Sequence, residues 1–473
     1  MSAASDPETE ARRLLDPNAP ALARFTPLEK GGTIRVFLAA RHDIVSEVLT
    51  DEATFSLCHY DDLLSQVAGP VRYLVGENDA NRKVRQRQLL AAQAHIDTLR
   101  KAPPSSEPPN LASSYRTWIA SLAREEAQGI LAVLDTRART QEPVNFVREY
   151  AFLLAWRMAR RIVGVPAPAT PGWVARSIVY GRNLLRPGRY LPLKGEMGAA
   201  TIALTLQQPL FGHVFGTVTT STGLTPMLAK STARHSLAAF DRAWQMPAIA
   251  EPTSLLAALR AVEGQFPDVA DYATQARSVL FELTGALVLI VGNALSQIAG
   301  FATSQNGADA GIGWNALLER LSDPAKADAD HDATINEMLR LAGESRLVRT
   351  VRQHCHWRGI DLRAGDRILA MVNIASRDPA VFADPDNFVP DPARPYITSG
   401  PLQGTHVCYG RMMAWTIMRE ALLATKGRIV PAKGAHLSMF LFMPDELRFA
   451  CVAPQSSAPT PTPNHIVQKD AAG

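Results

Sequence analysis

The sequence predicts a mainly α-helical chain with small β-sheets. Apolar residues recur at helical spacing through 115–136, 144–163, 268–302, 332–342 and 411–426, whereas strand-like runs are short and confined to 33–38 and to pieces near 347–352 and 368–372. A further feature organises the rest. In Gly404-Thr405-His406-Val407-Cys408-Tyr409-Gly410 a single cysteine stands in a glycine-bracketed loop just ahead of the last long helix.

Taken in order, residues 1–24 read as a loosely ordered lead, charged and without the apolar core of a signal peptide. The strand 33–38 is followed by a helix through 44–49, and the polar, basic stretch 76–87 opens a helix whose plain reading is a solvated face. The proline-rich 102–109 is a loop, and the helical pattern 144–163 stops at Gly164-Val165-Pro166. From 168 to 252 the periodicity is poorer and Gly, Pro, Ser and Thr abound, as expected of a mobile, substrate-facing part. Its Arg182, Arg186 and Arg189 read as a solvated face. The most apolar stretch, 283–295, is short for a membrane span and follows Glu282, so it reads as a buried core helix and no transmembrane segment is expected. Residues 454–473 are rich in Ser, Pro and Thr and are expected to be disordered.

Composition narrows the function. The chain has 473 residues, 47% hydrophobic and 20% charged, which admits one large domain or two to three smaller ones. Its 49 basic and 45 acidic residues leave a net charge of +4 without a basic run, so nucleic acid is not implied. Cys58, Cys355, Cys408 and Cys451 are too few and too scattered for a disulfide framework, in keeping with a cytoplasmic location. Hydrolase elbows, dinucleotide fingerprints and P-loops are absent.

Four constellations are left. Cys408 at a helix N-terminus is either a metal-binding thiolate, its charge favoured by unpaired N–H groups and the helix dipole, or an inert buried thiol. Glu337 and Arg340 share a helical face, a spacing common in surface ion pairs. His354-Cys355-His356 lacks the paired cysteines of a zinc site. Gly292 and Asn293 interrupt an apolar helix, where a glycine costs about 1 kcal/mol relative to alanine and marks either a close approach by a ligand or helix packing.

The order of these pieces resembles the cytochrome P450 family: Glu337-x-x-Arg340, Ser376-Arg377-Asp378-Pro379-x-x-Phe382-x-Asp384-Pro385-x-x-Phe388, Arg394, then Gly404-x-His406-x-Cys408-x-Gly410. Upstream stretches are similar as well, so the resemblance implies one haem-thiolate domain over 25–453, a triangular helical prism with haem b between a distal helix and the cysteine loop. It implies Cys408 as the iron ligand, His406, Arg85 and Arg349 as propionate partners, and Glu337, Arg340 and Arg394 as an ion-pair network supporting the loop. Asn81 falls where the family has a propionate-binding histidine, and Gly292 aligns with the glycine of the distal helix.

Two departures follow. Pro401 replaces the aromatic residue that opens the family's cysteine motif, and Ala294 and Leu295 fill the slots of the acid and alcohol that deliver protons for O–O cleavage. Ser296 lies one residue late unless the helix bulges. Arg340-Leu341-Ala342-Gly343, Gly365-Asp366-Arg367, Arg394-Pro395 and Asn293 are similar to the haem-thiolate domains of fungal fatty-acid dioxygenase fusions, which isomerise hydroperoxides. The resemblances together imply an oxidoreductase that uses or rearranges a peroxide on a lipophilic substrate, a fatty acid or its hydroperoxide, with Asn293 assisting O–O cleavage. The alternatives are a monooxygenase fed by a ferredoxin or flavoprotein reductase, with Ser296 on the proton path, and a haem-binding sensor without turnover.

Overall fold

The computed structural model describes residues 6–29, 34–69, 74–76, 80–103, 107–108, 111–136, 142–164, 173–185, 195–216, 218, 224–246, 251–398, 400–401, 406–440 and 443–452. Its spine is a helix running unbroken from Tyr272 to Ala302 through three contiguous parts: Tyr272–Gly285, a wider π-helical stretch Ala286–Val291, and Gly292–Ala302. By length and composition this helix is apolar enough to cross a membrane, but 72% of its most apolar window is buried in the protein, as a core helix should be. Helices Phe152–Val163, Asp328–Ala342 and Arg411–Ala424 surround it in one large apolar core.

A five-stranded sheet flanks the helices, in the order Ala23–Arg24, Val36–Ala39, Arg367–Ala370, Leu347–Val351, Phe55–Ser56, with Val36–Ala39 parallel to Arg367–Ala370 and the other pairings antiparallel. It covers a second, smaller core. The hairpin Cys355–Trp357 to Ile360–Leu362 turns through Arg358 and Gly359, both at positive φ, the backbone a tight two-residue hairpin requires. His356 is exposed and bonds Asp361 Oδ1 at 2.8 Å, Cys355 and His356 stand on the first strand of the hairpin, and the described residues hold no cluster of three metal-ligating side chains.

Three expectations need correction. The lead is not loose: Asp6 caps a helix Pro7–Arg13 by accepting from Thr9 N, Ala11, Leu14 and Leu22 are buried, and Ala23–Arg24 joins the sheet, so residues 6–24 belong to the folded unit. The basic stretch before residue 87 lies on a helix Ala80–Leu99 whose Arg82, Arg85, Gln88 and Gln93 are buried rather than solvated. The weakly patterned 168–252 region contains helices Trp173–Leu185, Gly195–Val214 and Leu224–Gln245, and Arg182 there is buried against Asp445. Arg186, Arg189 and the tail 454–473 lie outside the described residues.

Glu337 and Arg340 form no surface pair: both side chains are fully buried. Arg340 donates to both Glu337 oxygens (2.9 and 2.8 Å) and to the carbonyls of Ser376, Pro385 and Asn387, which uses all five of its N–H groups. Glu337 Oε1 also accepts from Val389 N and, at 3.2 Å, from Arg394. Phe382 lies between the two guanidiniums, 5.0 and 5.6 Å from its ring centre. Glu337→Gln leaves the buried Arg340 and the half-buried Arg394 short of a counter-charge. It is expected to lower stability by about 3–5 kcal/mol in denaturant titration.

Gly292 supplies a second test. A Cβ there would stand 2.3 Å from the Phe152 ring, so the glycine admits a neighbouring helix. Gly292→Ala is expected to cost about 1–3 kcal/mol, with much of the loss recovered in Gly292→Ala/Phe152→Leu; a loss that the double variant does not relieve refutes this packing role.

Candidate haem site

Helix Arg411–Ala424 is capped by Gly410, and the backbone N–H groups of Gly410 and Arg411 are directed at the Cys408 sulfur. Gly410 has an ordinary φ of −88°, without backbone strain. Gly404 lies outside the described residues. Tyr409, beside the cysteine, donates to Gln93 Oε1 at 2.5 Å and ties the loop to helix Ala80–Leu99.

The thiol of Cys408 is solvent-accessible by surface area, yet protein atoms surround it almost completely. Both are true because Cys408 faces an internal cavity of about 350 Å³. The long helix contributes lining residues from Phe281 to Val291, and Leu210, Phe211, Val214 and Phe215 join them. Most of the lining is apolar. Its basic groups are Arg82, Arg349 and His406.

Arg349 and His406 are poorly compensated. Burial pushes Arg349 down to about 10, with Arg82 adding to the fall, and among the described residues no carboxylate lies within ion-pair distance of it. Burial, helped by Arg82, Arg349 and Arg352, holds His406 near 3, and neither of its ring nitrogens has a hydrogen-bond partner. Glu52 is the carboxylate nearest the imidazole, at 3.8 Å. Burial likewise raises the Cys408 thiol, opposed by the Gly410 N–H and the Arg411 charge. A cavity with a thiol on its floor, basic groups at one edge and apolar walls fits a flat apolar macrocycle that carries a metal and two carboxylates. The metal would reverse the penalty on the thiolate, and the carboxylates would answer the cations.

The other expected residues fall differently. Arg85 is buried but donates to Ser278 Oγ at 2.7 Å and does not line the cavity; Arg82, one turn earlier, does. The side chain of Asn81 lies outside the described residues. Gly292, Asn293 and Ser296 are not among the lining residues. Gly292 packs on Phe152, Asn293 Oδ1 is buried without a partner, and Ser296 donates to Gly292 O at 2.7 Å. Sequence reasoning missed Arg82, Tyr409 and Glu282, the last being a carboxylate on the distal wall. The basic run 82–87 held the signal for Arg82, but choosing among its members required the helix register.

With this geometry, comparison with known proteins is direct. Residues 331–422 match the family description "Cytochrome P450". A 104-residue stretch is 36% identical to a steroid C26-monooxygenase of Mycolicibacterium smegmatis, covering 21% of this chain and 23% of that protein, so the chain spans about a quarter of this curated relative's length. Among solved structures, P450BioI bound to an acyl carrier protein ligated to hexadec-9Z-enoic acid superposes with a TM-score of 0.64 at 14% identity, over 94% of this chain and 98% of that one. A myxobacterial cytochrome P450 in complex with myristic acid gives 0.64 at 16% identity, over 95% and 97%. The fold is that of the cytochromes P450. The matched segment and the fold make the chain similar to that family of haem-thiolate proteins, whose cofactor is haem b.

Cys408→Ala is expected to abolish the thiolate signature of the reduced carbon-monoxide complex; an unchanged spectrum removes Cys408 as the ligand. Arg349→Ala and His406→Ala are each expected to weaken haem retention about tenfold or more in transfer to apomyoglobin, with the carbon-monoxide band kept, since each removes a charge-assisted hydrogen bond.

Proposed function

We propose that this protein oxidises an extended lipophilic substrate with an oxidant that is already at the peroxide level, hydrogen peroxide or the substrate's own hydroperoxide. The observation that carries the reading is the distal wall. In the cavity that Cys408 lines, the long helix presents Gly285, Ala286, Leu289, Ile290 and Val291, while the hydroxyl of Ser296 is spent on the Gly292 carbonyl. When bound, haem supplies O–O cleavage, favoured by electron density from its thiolate ligand. Reductive activation of dioxygen also needs protons delivered along the distal side; Glu282 supplies a carboxylate at one end of this wall, but the stretch Gly285–Val291 beside it has no alcohol or amide to relay them. A peroxide needs fewer.

The remaining side chains then have defined parts. Cys408 binds the metal, with the Gly410 and Arg411 N–H groups holding its charge. Arg82, Arg349 and His406 orient the cofactor's acidic edge. Phe211, Phe215 and Leu289 exclude water and bind apolar substrate, consistent with the fatty-acyl ligands of the two solved relatives. Asn293 has no part in this version of the mechanism.

A second reading, a dioxygen-dependent monooxygenase fed by a ferredoxin or flavoprotein reductase, is favoured by the 36% identity to a monooxygenase. The two separate in one assay on the holoenzyme. Fatty-acid hydroperoxide, or fatty acid with hydrogen peroxide, is expected to be turned over without reductant, and Asn293→Ala is expected to stay within about twofold of the parent rate. Turnover that requires a surrogate reductase and dioxygen overturns the peroxide reading, and a slow Asn293→Ala enzyme returns that residue to the mechanism.

A further inference from the structure

Cys58 opens helix Cys58–Ala68 as a half-buried free thiol and lines a second cleft, of about 480 Å³, on the five-stranded sheet. The haem site makes no use of it. Its sulfur accepts from the Ser56 hydroxyl at 3.1 Å. The sheet register carries this polar line across three strands, because Ser56 pairs with Thr350 and Thr350 with Arg367, and all three line the same cleft.

A cysteine at the start of a helix carries no function by itself. Arg367, at the far end of the row, supplies the independent observation. Only 8% of it is exposed, its Nη1 donates to Thr350 Oγ1 at 2.6 Å and to Gly365 O at 3.3 Å, and its Nε is buried without an acceptor. Among the described residues no carboxylate lies within ion-pair distance of the guanidinium, and burial lowers its pKa, with Cys58 and Asp62 acting against the fall. Hydrogen bonds to two neutral oxygens leave that charge unanswered. Arg352, which is exposed, adds a second positive group to the lining. Asp61 and Asp62 line the cleft as well, but Asp62 is exposed and screened by water, whereas the Arg367 charge is held away from it. The cleft thus joins a free thiol to a buried cation that calls for an anion.

We propose that Cys58 is a modification site, exchanging with small carboxylate-bearing disulfides to form a reversible mixed disulfide. The Cys58 thiolate, its proton given to solvent, attacks one sulfur of the disulfide. A new S–S bond forms to Cys58, the old one breaks, and the other half leaves as a thiolate, so the disulfide is itself the oxidant. The carboxylate pairs with Arg367 and Arg352. The Ser56 hydroxyl, already directed at the sulfur, meets the negative charge that the attack spreads over the sulfur atoms. This cleft shares no lining residue with the haem cavity, so the exchange does not involve Cys408.

Holoenzyme treated with dithiobis(nitrobenzoate), which carries carboxylates, and with the neutral dithiodipyridine tests this. The released thiol is followed by absorbance, and peptide mass spectrometry identifies the modified cysteine. With the carboxylate reagent Cys58 is expected to react at least about tenfold faster than Cys355 or Cys451, and dithiothreitol is expected to reverse the adduct. Arg367→Met is expected to slow that reaction about tenfold or more but the neutral reagent less than about threefold, a split that a merely structural arginine would not give. Should Arg367→Met not fold, Arg352→Ala is expected to show the same split at about threefold, because that residue is exposed. The proposal is overturned by modification first at another cysteine, by a carboxylate-reagent rate unchanged in the variants, or by equal slowing with both reagents.

Discussion

The fully buried Glu337–Arg340 pair is the constraint on which the proximal half of the molecule depends. Burying two charges costs several kcal/mol each, and their mutual attraction repays this only when the remaining hydrogen-bonding capacity is also filled. Here it is filled by backbone: the carbonyls of Ser376, Pro385 and Asn387 and the N–H of Val389 come from a segment with little regular structure of its own. That segment gains its shape from the pair. It continues through Arg394, Tyr396 and the Thr398–Asn336 hydrogen bond at 3.1 Å, and so sets where the chain enters the cysteine loop. An electrostatic debt inside one helix is thereby converted into the position of a sulfur atom.

The cavity above that sulfur shows the complementary situation. At Glu337 the protein supplies every partner, whereas at Arg349 and His406 the described residues leave the partners short and burial weakens the charged forms. Side chains held in this way are poor contributors to the stability of the chain alone. Their arrangement makes sense when the missing counter-charges belong to a bound group, so the apoprotein gives up some stability for a site already shaped for haem.

Much of this was legible in sequence. Glu337-x-x-Arg340, Arg394 and the His406–Cys408 motif are local signals with fixed spacing; in the structure Glu337 pairs with both arginines, and His406 and Cys408 line one cavity. What was not legible depends on helix register and on long-range burial. The stretch 76–87 looks solvated because its charges are dense, yet Arg82 and Arg85 are buried through contacts with residues that are remote in sequence, such as Ser278. The lead looked loose because its apolar residues are few, and Ala11, Leu14 and Leu22 find a sheet and core assembled mainly from later residues.

The distal helix shows how far a register error propagates. Reading Gly292 as the glycine that faces the cofactor assumes an unbroken α-helical phase of 100° per residue. The structure instead winds Ala286–Val291 with a wider π-type repeat, just where the wall of the cavity ends. Each extra residue taken up in such a turn rotates everything beyond it, so Gly292 meets Phe152 and Ser296 folds back on its own helix. The six residues of that stretch are Ala, Leu, Val, Leu, Ile and Val, with no proline or polar side chain to announce the change. The register of the distal side is therefore set by a backbone feature that has no sequence motif, and between Gly285 and Val291 the face it turns toward the cavity is apolar.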